Sequence, residues 1–262
     1  MNLNLKNKTV LITGGSKGIG LSIAESFLAE GASIIITSRD AGNLEKALSH
    51  LTSTGFKSEH IKTEALDLSK SSDCNALYKK FPNIDILINN AGAIPGGNIF
   101  EIDEEKWRAS WELKVFGYIN LTRLYLKNMQ EKKNGVICNI IGMAGIAPRY
   151  EYICGAAANS ALIAFTQAIG GASVRSGVRV FGINPSATKS DRMETMLKKT
   201  ATDKLGDASR WMELTTALPF GRMAEPSEIA HLAVFGCSDL CGYLSGTVIN
   251  VDGGQNFNPP QK

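Results

Sequence analysis

The sequence predicts a single α/β domain built on one doubly wound, mostly parallel sheet of about seven strands. Three observations predict it. Short apolar, β-branched runs alternate with longer helical patterns from one end of the 262 residues to the other. A glycine-rich turn, GGSKGIG, follows the first of those runs directly. No repeat, low-complexity linker or break in composition divides the chain, so residues 1–262 are read as one domain.

The expected strands are Thr9–Thr13, Ser33–Thr37, Ile61–Ala65, Ile84–Asn89, Gly135–Ile141, Val178–Ile183 and Thr247–Val251. Helical stretches lie between them, among them Ile19–Glu30, Leu44–Leu51, Ser72–Phe81 and Asp103–Gln130, with a further helix beginning near Tyr152. A strand followed by a helix and another strand closes as a right-handed crossover, which buries both faces of a parallel sheet. Residues 185–219 are the most irregular stretch, rich in Thr, Lys, Asp and Met. An insertion at the carboxyl ends of the strands is expected to act as a substrate loop, with a plain surface excursion as the alternative.

Composition narrows the function. Hydrophobic residues make up 44% of the chain and charged ones 20%, as in ordinary globular proteins. A net charge of +3, from 28 basic and 25 acidic residues without clustering, gives no case for nucleic acid. Five cysteines without CxxC spacing read as reduced thiols, although Cys237 and Cys241 would share a helix face one turn apart. His50, His60 and His231 are scattered, and no metal site is expected. The start MNLNLKNKTVLITGG carries no apolar leader, and no apolar run reaches spanning length. A soluble, cytoplasmic protein without membrane contact is the expectation.

The turn VLITGGSKGIG sets Gly14, Gly18 and Gly20 between a strand and a helix. Glycines there allow a tight turn and close approach of backbone to a pyrophosphate. At the end of the second expected strand, IIITSRD holds Ser38 and Arg39 where an acidic residue would bind the ribose 2′-hydroxyl of NAD. With Lys17 in the glycine turn, two cations and a hydroxyl suit a 2′-phosphate, so NADP(H) is expected. Asp40 either caps the next turn or offsets Arg39.

These motifs together resemble the short-chain dehydrogenase/reductase superfamily along nearly the whole chain. The resembling segments are Thr13–Gly20, LDLS at 66–69, NNAG at 89–92, INPSAT at 183–188 and the ending from Leu218 to Gly254. The resemblance implies a single-domain Rossmann fold. It also implies nucleotide contacts from Gly14, Ser16, Lys17, Gly18, Ile19, Gly20, Ser38, Arg39, Asp67, Leu68, Asn90, Ala91, Gly92, Asn159, Pro185 and Thr188.

Members of that family usually carry an Asn, Ser, Tyr and Lys that act together. The tyrosine moves a proton to or from the substrate oxygen, the serine orients that oxygen, and the lysine holds ribose and supports the tyrosine by its charge. Here the aligned positions are Lys114, Gly142, Gly155 and Asn159. Lys114 either reaches the same polar pocket from the opposite wall or projects to solvent. Asn159 keeps a hydrogen bond to ribose but brings no charge. Tyr152, three residues before Gly155, is either a catalytic hydroxyl or an aromatic packed under the substrate loop. Its seven-residue spacing to Asn159 resembles divergent bacterial enoyl-acyl-carrier reductases, whose tyrosine pairs with a lysine at that distance.

The expected activity is hydride transfer to or from a carbonyl or conjugated alkene of a small or acyl-type substrate, with Tyr152 and Lys114 as catalytic candidates. Alternatives are a nucleotide-binding or sensor protein without turnover and a non-redox enzyme on the same scaffold. Family resemblance also implies a homodimer or homotetramer through the helix carrying Trp107 and Trp111 and the one after Tyr152. Trp107 and Trp111 are otherwise read as core.

Overall fold

A computed structural model describes residues 1–257; residues 258–262 of the expected domain lie outside the described residues. Seven parallel strands form one sheet, β1 (Thr9–Thr13), β2 (Ser33–Ser38), β3 (Ile61–Ala65), β4 (Ile86–Asn89), β5 (Gly135–Ile140), β6 (Val178–Pro185) and β7 (Val248–Val251). Their spatial order is β3-β2-β1-β4-β5-β6-β7. The chain leaves β1 in one direction and returns through β4 on its other side, which opens a crevice at the carboxyl ends of those two strands.

Helices cover both faces, and the alternation of the strands decides which residue faces which layer. Val10 and Ile12 of β1 pack with Ile23 and Phe27 of α1 (Gly18–Ala29), Leu44 of α2 (Ala41–Ser53) and Ile229 of α8 (Pro226–Cys237). Leu11 between them faces Leu77 of α3 (Ser71–Lys80) and Leu121 and Tyr125 of α5 (Gly117–Lys132). All these side chains are buried, as a parallel sheet covered on both faces requires.

Three local expectations change. The long helix expected over Asp103–Gln130 is α4 (Glu104–Trp111) and α5 joined by a π-helical turn, Glu112–Phe116. Gly117 bonds back to the carbonyl of Glu112, five residues earlier, so one extra residue is accommodated and the helix face turns. The supposedly irregular stretch 185–219 contains α7 (Asp191–Leu205), followed by 3-10 turns over Ala208–Ala217. Ser190 caps α7 by accepting from the Met193 amide, and Gly206 ends it in the left-handed region at φ 72°. Cys237 closes α8 while Cys241 lies in the next 3-10 turn, so the two do not share a helix.

The helix α6 (Ile153–Ser173) begins one residue after Tyr152, which caps it with φ −141° and ψ 35° and is not helical. With the turn that follows, Ile153–Ser176 is long and apolar enough by length and composition to cross a membrane, contrary to expectation. In this fold it packs on β6 and buries Asn159, Leu162 and Thr166. Asp85 accepts from the Thr9 amide at 2.8 Å, and Asp252 accepts from the amides of Gly254 and Asn256, each at 3.0 Å. His50 meets Glu25 at 2.6 Å and His60 meets the Ser33 hydroxyl at 2.9 Å, both away from the crevice.

Arg179 of β6 closes the end of α8. It donates to the carbonyls of Gly236 (2.8 Å), Cys237 (3.2 Å), Ser238 (3.0 Å) and Leu244 (3.3 Å). One guanidinium thereby serves four carbonyls around the end of α8, of which the Ser238 carbonyl also accepts from the Cys241 amide at 3.2 Å. Replacing it, Arg179→Met, removes that donor from all four and is expected to lower the unfolding free energy by about 2–3 kcal/mol in urea titration. An unchanged midpoint would show that water serves them equally well.

Candidate active site

The crevice is built first by the turn after β1. Lys17 precedes α1 in extended conformation, no side chain caps the helix, and its first turn holds no acid. The amides of Gly18, Ile19 and Gly20 therefore face outward at the positive end of the helix dipole. Gly20 lies so near the Gly14 carbonyl that a Cβ would stand 2.3 Å from it, and Gly14 has φ +64°. A Cβ on Gly18 would meet nothing nearer than Ser190 at 3.8 Å, so that side of the turn is open. A cradle of backbone amides with room in front fits the pyrophosphate of a dinucleotide. Ser16 is buried in the turn, and the Ile19 side chain packs against the core.

The segment after β4 locks this turn. Thr13 Oγ1 accepts from the amides of Asn90 (2.8 Å) and Ala91 (3.0 Å), and Asn90 Nδ2 donates to the carbonyls of Thr13 (3.0 Å) and Gly14 (3.1 Å). The Nδ2 group of Asn90 is thus spent on the glycine turn. Behind it, Asn89 donates to Asn139 at 2.9 Å and Asn139 to Thr166 at 2.9 Å, a buried row of amides crossing β4, β5 and α6.

At the end of β2, Asp40 turns away and caps α2 through the Asn43 amide at 2.9 Å, leaving Arg39 exposed beside Ser38. Lys17 pairs with Asp191 of α7 at 3.7 Å in an exposed contact. Asp67 accepts from the Ser69 hydroxyl at 2.8 Å and its amide at 3.2 Å. Burial raises the Asp67 pKa, but those bonds and the Arg39 charge outweigh it and hold the carboxyl below its ordinary value. The Leu68 side chain is buried in the core, so its backbone alone is left for the contact expected of that residue. Pro185 ends β6 against Val251, and buried Thr188 donates to the Ser186 carbonyl at 3.0 Å and pairs with Ala224.

Lys114 sits in the π-helical turn and points inward, 8% exposed. Its Nζ donates to the carbonyls of Ile140 (2.8 Å) and Ile141 (3.2 Å) and to Tyr118 Oη (3.1 Å). Tyr118 in turn donates to Ile140 at 2.9 Å. A Cβ at Gly92 would come within 2.6 Å of the Lys114 side chain, so the NNAG glycine is what admits the lysine. Burial, with a smaller push from the Arg192 guanidinium, pulls the ammonium down to about 7. Burial pushes the Tyr118 phenol well above its usual value.

Tyr152 and Gly155 share one space. A Cβ at Gly155 would lie 2.1 Å from the Tyr152 ring and 2.6 Å from its hydroxyl. The phenol therefore reaches the side-chain position of residue 155 from the cap of α6. Gly142 has φ +139°, and a Cβ there would stand 2.8 Å from Asn159 Nδ2. Gly97 ties the loop after β4 to this corner, donating to the Glu151 carbonyl at 2.8 Å. Arg192 of α7, which sequence reasoning missed, donates to the Ile94 carbonyl and to Tyr152 Oη, the latter at 3.2 Å. Arg149, Tyr150 and Glu151 are exposed beside it. A separate apolar groove of about 580 Å³ lies outside this crevice, lined by Ile99, Ile102, Trp107, Trp111 and Phe116. The two tryptophans are only partly buried there.

A profile of the family described as short chain dehydrogenase matches residues 8–201. The chain belongs to that family. Among the curated short chain dehydrogenase relatives, the uncharacterized oxidoreductase YvaG of Bacillus subtilis (strain 168) is 31% identical, covering 97% of this chain and 98% of the relative. The 3-oxoacyl-[acyl-carrier-protein] reductase FabG of Vibrio cholerae serotype O1 is 30% identical, covering 96% and 98%. The crystal structure of L-sorbose reductase from Gluconobacter frateurii, complexed with NADPH and L-sorbose, superposes with a TM-score of 0.87 at 29% identity, covering 97% and 98%. The protein is thus an oxidoreductase of the short chain dehydrogenase family, with the seven-stranded sheet that the sequence predicts.

A lowered lysine pKa has a thermodynamic consequence. Between pH 7 and the ordinary lysine value of about 10.4, the folded protein binds fewer protons than the unfolded chain. The Lys114 contribution therefore rises with pH through that window and is smallest below pH 7. The unfolding free energy from pH 7 to 9 is expected to climb more steeply in the parent than in Lys114→Met, by up to about 1.4 kcal/mol per pH unit. Parallel curves would place the ammonium in water.

Proposed function

We propose that the protein is an NADP(H)-dependent oxidoreductase acting on a carbonyl or conjugated alkene, in which Tyr152 is the proton donor and buried Lys114 an electrostatic support at the strand ends. One observation carries the reading: the Tyr152 phenol occupies the space beside Gly155, the position of the family's catalytic tyrosine. A proton donor is defined by where its hydroxyl lies, and a residue three places earlier reaches there because residue 155 has no side chain.

The bound nicotinamide would supply or accept the hydride. The cradle of Gly14, Gly18 and Gly20 would hold the pyrophosphate, with Ser16 and Ile19 in the same turn. Asn90, Ala91 and Gly92 keep that turn in register, and Pro185 and Thr188 border the far end of the crevice. Asn159 is buried beside Gly142, within the corner where ribose hydroxyls would be met. Preference for the 2′-phosphate is supported by Arg39, left exposed with Ser38 once Asp40 has turned into its cap. Lys17 joins them by exchanging its weak surface contact with Asp191 for the phosphate. The ammonium of Lys114 places positive charge behind the strand ends where negative charge develops on a substrate oxygen. L-Sorbose reductase and the 3-oxoacyl reductase, whose names specify ketone reduction, favour a carbonyl substrate.

Two outcomes test this. NADPH is expected to bind at least about tenfold more tightly than NADH by fluorescence titration, and Arg39→Met to remove most of that difference, since one charge-assisted phosphate contact is worth about 1.5–3 kcal/mol. Equal binding of the two nucleotides would sink the 2′-phosphate assignment. In NADPH oxidation over a panel of ketones, aldehydes and enoyl thioesters, Tyr152→Phe is expected to lower kcat by roughly 100-fold. Full turnover by that variant would remove Tyr152 from the chemistry, and tight NADPH binding without turnover of any substrate would leave a binding protein.

A further inference from the structure

The phenol of Tyr152 has a cationic neighbour that comes from another part of the chain. Arg192, the second residue of α7, donates from Nη2 to Tyr152 Oη at 3.2 Å, while the Ile94 carbonyl accepts from the same nitrogen. Those contacts fix the guanidinium between the loop after β4 and the cap of α6. The start of α7 lies beside the glycine turn, with Asp191 3.7 Å from Lys17 in an exposed contact. Asn159, the residue in place of the usual lysine, carries no charge. The ammonium of Lys114 is engaged by Ile140, Ile141 and Tyr118 rather than by Tyr152. One permanent cation therefore touches the phenol oxygen, and it belongs to the segment over the crevice.

We propose that Arg192 is the positioning residue that supplies the missing positive charge to Tyr152. The inference rests on the reading of Tyr152 as proton donor. As that proton passes to the substrate oxygen, the phenol O–H bond breaks and its electron pair stays on the tyrosine oxygen. The guanidinium N–H, already aimed at that oxygen, strengthens its hydrogen bond as the charge grows, which lowers the barrier without binding the substrate more tightly. Water then returns a proton to the phenolate. Because the charge is carried on α7, the proton donor is complete only while α7 lies across the crevice.

A double-mutant cycle of R192M and Y152F separates this from the reading beneath it. R192M is expected to lower kcat roughly 10- to 100-fold in the parent, to leave the NADPH Kd unchanged, and to have no further effect in the Y152F background. A loss in Y152F but none in R192M overturns the role of Arg192 and leaves Tyr152 standing. Additive losses also overturn it, since Arg192 would then act elsewhere. No loss in either variant, or no turnover by the parent, removes both. A second readout needs neither nucleotide nor turnover. In protein labelled with 13C at tyrosine Cζ, the Tyr152 resonance, identified by its absence in Y152F, is expected to move in R192M. An unmoved resonance would show that no guanidinium bond reaches the phenol.

Discussion

Thr13 and Asn90 close the gap between β1 and β4, and the rest of the crevice depends on that closure. A parallel sheet that winds away from β1 on both sides leaves backbone groups at the strand ends with no ladder partner. One threonine hydroxyl takes two amides from the β4 side, and one asparagine amide covers two carbonyls on the β1 side. The glycine turn is thereby held with its amides outward, and the segment carrying Gly92 is held close to the π-helical turn. Of the groups assigned to chemistry, Lys114 lies in that π-helical turn, Tyr152 caps α6 and Arg192 begins α7.

Around this frame, side chains and their absences are matched. Gly92 has no Cβ where Lys114 passes, and Gly142 has none where Asn159 lies. The lysine is buried with oxygens for its N–H groups, as an ammonium out of water requires. A positive φ at Gly142 adds a backbone reason for glycine there, independent of the space. The arrangement differs from one in which side chains have simply been deleted, because each missing group is met by a neighbour that uses its place.

Much of this was legible because its causes are local. A glycine required by a tight turn, an acid that caps a helix and strands that alternate with helices leave their marks within a few residues; Gly14 and the seven strands followed from them, and the cap was one of the two roles left open for Asp40. The burial of Lys114 was not settled because it depends on the π-helical turn, whose extra residue turns the helix face, and a single glycine at its end, Gly117, does not by itself distinguish such a turn from a regular helix. The bonds from the Asn90 side chain to the glycine turn left no mark in the sequence, because an amide beside such a turn serves ligand or backbone equally well on paper. Arg192 was missed for another reason. Its helix buries only Ala201, so no apolar stripe marks it. The cap at Ser190 and the glycine at 206 were the available signals. Its partner Tyr152 lies 40 residues earlier in the chain.

The shared volume at residues 152 and 155 makes the two positions rivals for one seat. A Cβ at residue 155 would fall 2.1 Å from the Tyr152 ring, so a tyrosine placed there enters only as that ring swings out of the corner. A chain carrying both tyrosines would therefore seat one hydroxyl in the corner at a time.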